Sequence, residues 1–436
     1  MGHVRVYTIS DVIARVERMK GKRVINPFGW DSFGLPAENA ARSNNCSAAD
    51  WTELNIKDMT KQLEPLGIDF QWGRELQTSA PEYYKWTQWI FLQLYEKGLA
   101  YQKNSYVNWD PVDKTVLANE QVLVDGTSWR SGALVEKRPM NQWYFRISQY
   151  APQLLSGLDK LRNTWPATVL TLQRNWIGKP SEGLIVKFPI SVPNGGMEAE
   201  IEVFTTRPDT IYGVSFIGVS PHCQFLQDVQ SQNPQQTFGW AEPLKKLLNA
   251  TLIDRFADRT KEEDGQGTGE VILMEGFTAV HPLTGESLPV YICSYVLDDY
   301  GTGAVMGVPA HDERDAKVAQ QFSIPVTSVL DEAEEGAQRL VRSGPFTGLD
   351  SKEATARITE TLVEQEKGHQ HVMYRIRDWL VSRQRYWGAP IPIVHCPSCG
   401  VVPVPEEQLP VTLPAISPEH NSLADMPEWY NVPCPS

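Results

Sequence analysis

The sequence predicts an α/β protein in which a helix-rich first stretch gives way to a strand-rich one and then returns. Three observations predict this. Apolar residues at helical spacing (Ile9, Val12, Ile13, Val16, Met19) open the chain and lead to a short strand at Arg23 to Ile25. After RNWIGKPSEG, near Trp176 to Gly183, helical patterns change to alternating strands at Leu184 to Phe188, Glu200 to Thr206, Val271 to Met274 and Pro289 to Ile292. Helical, arginine-rich character resumes near Tyr374.

With 436 residues the chain can form two or three domains and bury a substantial core. Apolar residues make up 41% and charged residues 21%, and there is no low-complexity tract, as in a soluble globular protein. No apolar run approaches the ~20 residues of a membrane span, and no charged and then apolar leader opens the chain. Neither export nor a membrane partner is therefore expected. Six scattered cysteines are too few for a disulfide framework and favour a reducing compartment. A net charge of -13 and a pI near 5.2 argue against a general nucleic-acid binder, so a nucleic-acid contact must use a local patch. Arg375, Arg377, Arg383 and Arg385 are the densest set, followed by Arg15, Arg18, Lys20, Lys22 and Arg23, which read first as a solvated helix face.

Taken in order, the turn from Gly29 to Asn39 is glycine-bounded and carries Asp31 and Glu38, as in a loop at the carboxyl edge of a parallel sheet. Helical patterns follow at Trp51 to Leu66 and at Pro81 to Lys97, the second with proline at its first position. A strand-like run then reaches Asn108-Trp109-Asp110-Pro111. In TTRPDT, a β-type run (Ile201, Val203, Phe204) stops at Pro208 and leaves Thr205, Thr206, Thr210 and Asp209 beside a turn. Tyr300 to Asp315, YGTGAVMGVPAHDERD, joins a glycine-rich strand to a helix start bearing carboxylates. These two segments are read as the halves of a hydrolytic pocket. Gly301-Thr302-Gly303 is not a dinucleotide fingerprint, because Gly307 falls one position late and Pro309 disfavours the helix required there. His395-Cys396-Pro397-Ser398-Cys399-Gly400 forms a C-x-x-C knuckle, and Cys434 offers a third thiolate toward a tetrahedral site.

The motifs GHVRVYTISD, GWDSFGLPAENAA, YVNWDPVDKTVLANEQV, RNWIG, TTRPDT, GTGAVMGVPAHDERD and RDWLVSRQRYWGAPIPIVHC follow one another as in leucyl-tRNA synthetase of the bacterial and mitochondrial type, which this chain resembles over essentially its whole length. The isoleucyl and valyl relatives usually carry His where this chain has Phe33, and a different threonine-rich segment. The resemblance implies an α/β fold: the first part of a class I Rossmann-type catalytic domain, interrupted by a mixed α/β editing domain. It places catalytic segments at 1–181 and 372–394, the editing insert at 182–371, and an incomplete zinc-knuckle-like, leucyl-specific segment at 395–436.

The implied activity is ATP-dependent activation of leucine and its transfer to tRNA(Leu), with hydrolytic editing in the insert. ATP with Mg2+ is the implied cofactor of the full-length enzyme, Zn2+ a further one at Cys396, Cys399 and Cys434, and the mitochondrial matrix or bacterial cytoplasm the compartment. Gly2 and His3 match the family's phosphate-binding turn, which has a second histidine upstream, and the family's lysine-rich loop that closes over the phosphates does not occur. The expectation is a chain cut at both ends and incompetent for adenylation alone. Asp31, Glu38 and Trp109 are implied contacts for substrate, with turn or capping carboxylates as the plain alternative for the first two. Asp110, Asn119 and Glu120 read either way as well.

Editing is needed because one methylene discriminates by only about 1 to 3 kcal/mol. By resemblance, Thr210 blocks the leucine side chain, Asp315 holds the α-ammonium group, and Thr205 and Thr206 contact the ester or terminal adenosine. Arg207, Tyr300, Met306, Val308, His311 and Asp312 line the pocket, with Asp312 read equally as a helix cap. A positioned water is the economical nucleophile. Thr127, Ser128 and Ser131 stand where some relatives carry cysteines, so no second metal site is expected. An editing-only deacylase and a non-catalytic tRNA- or protein-binding fragment are the alternatives.

Overall fold

The structure is a computed structural model that describes residues 2–118, 121–123, 125–192, 199–232, 238–249, 270–296, 301–332, 338–415, 423 and 426–436. Tyr300, Asn119 and Glu120 lie outside the described residues. The chain divides into two compact units: Met1–Gln102 with Trp143–Phe145 and Leu380–Ser436, and Lys103–Gln142 with Arg146–Trp379.

The first unit opens with helix α1 (Gly2–Met19). Its apolar stripe faces out: Ile9, Val12 and Ile13 are more than half exposed, while Asp11 and Ala14 are buried. Asp11 accepts the Asp69 amide and the Arg15 guanidinium, which fixes this face of the helix inward. Helical spacing thus located the helix, but its apolar stripe is not the side that the fold buries. The expected strand at Arg23 to Ile25 is irregular chain, and the first strand is β1 (Gly29–Trp30). Helices α2 (Leu35–Ser43) and α3 (Ala48–Leu63) follow, the latter capped by Ser47, which accepts the Asp50 amide at 3.0 Å. Strand β2 (Leu76–Gln77) pairs parallel with β1, Gly29 opposite Leu76, so the helices form a β-α-β crossover. Helix α4 (Pro81–Glu96) begins with its proline. Phe28, Ile68 and Phe70 form one small core here, and Ala41, Ala48 and Trp387 another.

The basic set near the start is largely neutralised within the chain. Arg15 pairs with Asp11, Arg18 with Asp69, and Lys20 and Lys22 with Glu17.

Strand β3 (Ala100–Asp110) turns into β4 (Thr115–Leu117), with Asp110 opposite Thr115. Buried Asp110 accepts the Val112 and Asp113 amides and the Ser131 hydroxyl at 2.6 Å. Burial disfavours its charge, but these donors outweigh it and hold its pKa low. Strand β5 (Glu136–Phe145) and helices α5 (Ala151–Lys160) and α6 (Ala167–Ile177) follow, the helices packing through Leu158, Leu170 and Ile177.

The second unit is built on a seven-stranded sheet. It contains β6 (Ser181–Ser191), β7 (Ala199–Thr205), β8 (Phe216–Val219), β9 (Val271–Val280), β10 (Ser287–Cys293), β11 (Ala304–Gly307) and β14 (Gly368–Met373). Helices α7 (Gln224–Gln232), α8 (Ala241–Asn249), α9 (Glu313–Phe322) and α10 (Ser351–Glu364) accompany it, with a small β12–β13 hairpin (Leu330–Glu332, Gln338–Leu340). The order is β11-β8-β10-β9-β6-β14, with β7 on β6. Residues alternate as a half-buried strand demands: in β7, Ile201, Val203 and Thr205 are buried while Glu200 and Glu202 are exposed. The entry and exit strands close the unit on themselves, since Ser181 in β6 lies opposite Met373 in β14. A continuous core runs from Leu184, Val186 and Phe188 through Ile217 and Val290 to Ile358 and Leu362.

Candidate hydrolytic site

The threonine segment is a tightly bonded turn at the end of β7. The Arg207 amide donates to Thr205 Oγ1 at 3.0 Å, and a 3-10 helix spans Pro208–Gly213. Both the amide and the hydroxyl of Thr210 donate to the Arg207 carbonyl, at 3.1 and 2.9 Å. Thr205 and Thr210 are buried, whereas Thr206 and Arg207 are exposed.

Two residues outside the predicted site set hold this turn. Asp209, fully buried, accepts Arg207 Nε at 3.0 Å, Arg207 Nη2 at 2.9 Å and the Ser351 hydroxyl at 2.6 Å. His281 is 2% exposed, and its Nδ1 accepts the Leu283 and Thr284 amides. The proton therefore sits on Nε2, which donates to the Ile211 carbonyl at 2.9 Å. Burial lowers the His281 pKa, keeping the ring neutral in that tautomer.

The glycine-rich segment reaches the same place from the other side of β8. Gly301 and Gly303 take positive φ, then β11 pairs antiparallel with β8, Ala304 opposite Val219 and Gly307 opposite Phe216. A Cβ on Gly307 would lie 2.4 Å from the Phe216 ring, so only glycine fits. The Ser215 amide donates to the Gly307 carbonyl at 2.9 Å, and a Cβ on Gly213 would stand 3.3 Å from Val308 Cγ1. Through these contacts the end of the 3-10 turn that begins in TTRPDT packs against GTGAVMGVPAHDERD, and β7, which ends at Thr205, lies against β11. Met306 and Val308 are buried there.

Asp312 caps α9, accepting the Arg314 and Asp315 amides at 2.8 and 3.2 Å. Asp315 is 6% exposed; its Oδ1 accepts the Tyr295 hydroxyl at 3.0 Å and its Oδ2 the Val308 amide at 2.9 Å. Burial pushes its carboxyl up to about 6, against the Val308 amide, the Tyr295 hydroxyl and Arg314, which favour the charge, while Asp312 adds to the rise. The result is an anion available at neutral pH in a largely dehydrated position, suited to a cation that arrives with a substrate. His311 is exposed, and partial burial and then the Arg207 charge lower its pKa. Its amide donates to the Val308 carbonyl at 2.9 Å.

The other predicted residues lie elsewhere. Glu38 is 3% exposed, with Oε1 accepting Arg385 Nε at 3.0 Å and Arg42 Nη2 at 3.3 Å, and Oε2 accepting the Trp387 amide at 3.1 Å. Both of its oxygens are occupied in joining α2 to the Arg385–Trp387 segment. Asp31 is exposed, as are Gly2 and His3 in the first turn of α1. Trp109 carries the Arg138 guanidinium 5.0 Å from its ring centre. Past β15 (Trp379–Leu380), the hairpin of β16 (Ile393–Cys396) and β17 (Gly400–Pro403) presents Cys396 and Cys399. Their sulfurs and that of Cys434 lie within 4.8 Å of one another. The Cys399 and Ser398 amides hold the Cys396 thiol down at about 7. Three converging thiols with one already poised to ionise fit three corners of a zinc site.

Residues 174–363 match the family model "Leucyl-tRNA synthetase, editing domain", and residues 1–182 and 348–412 match "tRNA synthetases class I (I, L, M and V)". The leucine–tRNA ligases of Crocosphaera subtropica and Pseudomonas putida are each 49% identical, aligned over all of this chain and 51% and 50% of their own lengths. That of Parasynechococcus marenigrum is 50% identical over all of this chain and 51% of its own. The chain thus spans about half the length of the curated relatives it matches. Among solved structures, the LeuRS–tRNA–LeuAMS ternary complex of Agrobacterium radiobacter matches with a TM-score of 0.80 and 40% identity, over 100% of this chain and 51% of that one. Family models, relatives and fold agree: the chain belongs to the class I tRNA synthetases, of the leucyl type, with that type's editing domain inserted.

Proposed function

We propose that residues 182–371 hydrolyse mischarged tRNA(Leu), and that the chain represents the first catalytic half and editing domain of a leucine–tRNA ligase. The carrying observation is that the Gly213 end of the threonine turn packs against Val308, whose amide binds Asp315, a carboxylate that is 6% exposed and that burial pushes up to about 6. Asp315 pairs with the α-ammonium group of the aminoacyl ester. Thr210 occupies the space a leucine side chain needs, and its hydroxyl is already committed to the Arg207 carbonyl, so it acts by bulk. Thr206 and Arg207, both exposed, meet the terminal adenosine or the ester, and Thr205 braces the turn through the Arg207 amide. Met306 and Val308 complete the wall, with His311 at its rim and Asp312 fixing the helix that carries Asp315. A water positioned by these groups and the substrate hydroxyls attacks the ester carbonyl.

For the ligase as a whole we assign leucine, ATP with Mg2+ and tRNA(Leu) as substrates and partners. The family and the relatives' names support this. Asp31, Trp109, Gly2 and His3 keep their proposed roles toward substrate and ATP; Glu38 acts through Arg385 and Trp387. Cys396, Cys399 and Cys434 hold a structural zinc ion that ties the knuckle to the chain's end. The matching relatives named above are bacterial, which favours the bacterial cytoplasm over the mitochondrial matrix.

Replacing Thr210 with alanine tests the sieve. Thr210→Ala is expected to begin hydrolysing correctly charged Leu-tRNA while keeping its action on mischarged tRNA. Continued sparing of Leu-tRNA would remove Thr210 from this role.

A further inference from the structure

We propose that Tyr295 is the positioning residue that keeps Asp315 ionised and aimed at the substrate's ammonium group; the proposal rests on the deacylase reading above. Nothing in the sequence motifs marks Tyr295, which follows β10 in the run ICSYV. It is 9% exposed and donates its hydroxyl to Asp315 Oδ1 at 3.0 Å, while the Val308 amide takes Oδ2 at 2.9 Å. One fixed donor on each oxygen prevents the carboxylate from rotating and leaves its remaining lone pairs for the incoming cation.

Each group facing Asp315 can be assigned. From its own helix come Asp312, which opposes the charge, and Arg314, which favours it. Arg314 lies over the Tyr295 ring, 5.6 Å from its centre. From the end of β10 come Tyr295 and, behind it, fully buried Cys293. Burial pushes both the phenol and the thiol far up, so neither loses its proton at working pH. Tyr295 is therefore a permanent donor and never a competing anion. The Val308 amide is a main-chain donor that no side-chain replacement removes. Tyr295 is the one adjustable hydrogen bond among the described groups that favours the Asp315 charge.

In the wild type, deacylation should have an acid limb set by Asp315 and an alkaline limb set by the substrate amine, whose model value is about 7.7–8.0. Tyr295→Phe keeps the ring and removes the donor. The test measures kcat/KM for mischarged tRNA(Leu) between pH 5 and 9 for the wild type, Tyr295→Phe and Asp315→Ala, together with a carbon-13 titration of aspartate carboxyls. For Tyr295→Phe we expect the acid limb and the Asp315 carboxyl to move up together by about one pH unit, with KM carrying the loss. The alkaline limb stays in place, and activity near pH 8 remains within about twofold of wild type. An unmoved acid limb and carboxyl titration in a variant that melts as the wild type does would overturn the proposal. If the wild type does not deacylate, or Asp315→Ala retains full rate, the deacylase reading fails instead, and the carboxyl titration still decides the coupling between Tyr295 and Asp315.

Discussion

Asp315→Asn should make the protein more stable and less active at once, with the stability gain vanishing in acid. The native carboxyl titrates at about 6 and its model value is 3.8. The folded state therefore holds the proton more tightly than the unfolded chain does. Stability tied to that proton is complete below pH 3.8 and is lost as pH rises through about 6. Above that, the ionised carboxylate costs the native state about 3 kcal/mol, falling to about half near pH 5 and to about a fifth by pH 4. Asparagine removes the charge at similar shape. Its oxygen can still accept the Val308 amide, but its NH2 must face the Tyr295 oxygen, which offsets about 1 kcal/mol of the gain. The net expectation at pH 7.5 is about 2 kcal/mol, or roughly 4–8 °C in Tm for a unit of this size. Calorimetry of both proteins at pH 7.5, 5 and 4 reads the difference directly. A variant that is less stable at pH 7.5, or a difference that does not change with pH, would refute the reasoning.

Glu38→Ala takes the Glu38 carboxylate from the Arg385 guanidinium, whose side chain is 14% exposed and also donates to Asn39 Oδ1, and should cost about 3 kcal/mol in the first unit, measured by denaturant unfolding. That loss would mark Glu38 as an internal brace, whereas a near-neutral result would return it to the substrate pocket. Protein expressed with zinc should carry about one equivalent by elemental analysis, through Cys396, Cys399 and Cys434. Cys399→Ser should lower that content and leave deacylation intact.

Local chemistry made much of this protein legible. Strand alternation located β6, β7, β9 and β10, and the proline at the start of α4 marked its first turn. The threonine turn was readable because Pro208 and its hydroxyl neighbours act within a few residues. What failed was burial and long-range contact. Spacing found α1 but could not say that Asp11, held by the Asp69 amide, sets its inward face. Glu38 read equally well as a substrate contact until its partners Arg385 and Trp387, far along the chain, were in place. The clamp from Asp209 to Ser351 spans 142 residues, and the bond from His281 to the Ile211 carbonyl spans 70. Tyr295 had no signal in the sequence, because its proposed role exists only once α9 folds against the end of β10. The motifs point to the side chains proposed to carry chemistry; the packing shows which neighbours hold them still.

The central claim is that the threonine turn and Asp315 form one hydrolytic pocket. The most direct measurement is the deacylation rate of tRNA(Leu) charged with a smaller or branched amino acid, comparing the wild type with Asp315→Ala. The account predicts hydrolysis by the wild type and loss of at least two orders of magnitude in the variant, whose fold remains intact. Equal rates from the two proteins would contradict it.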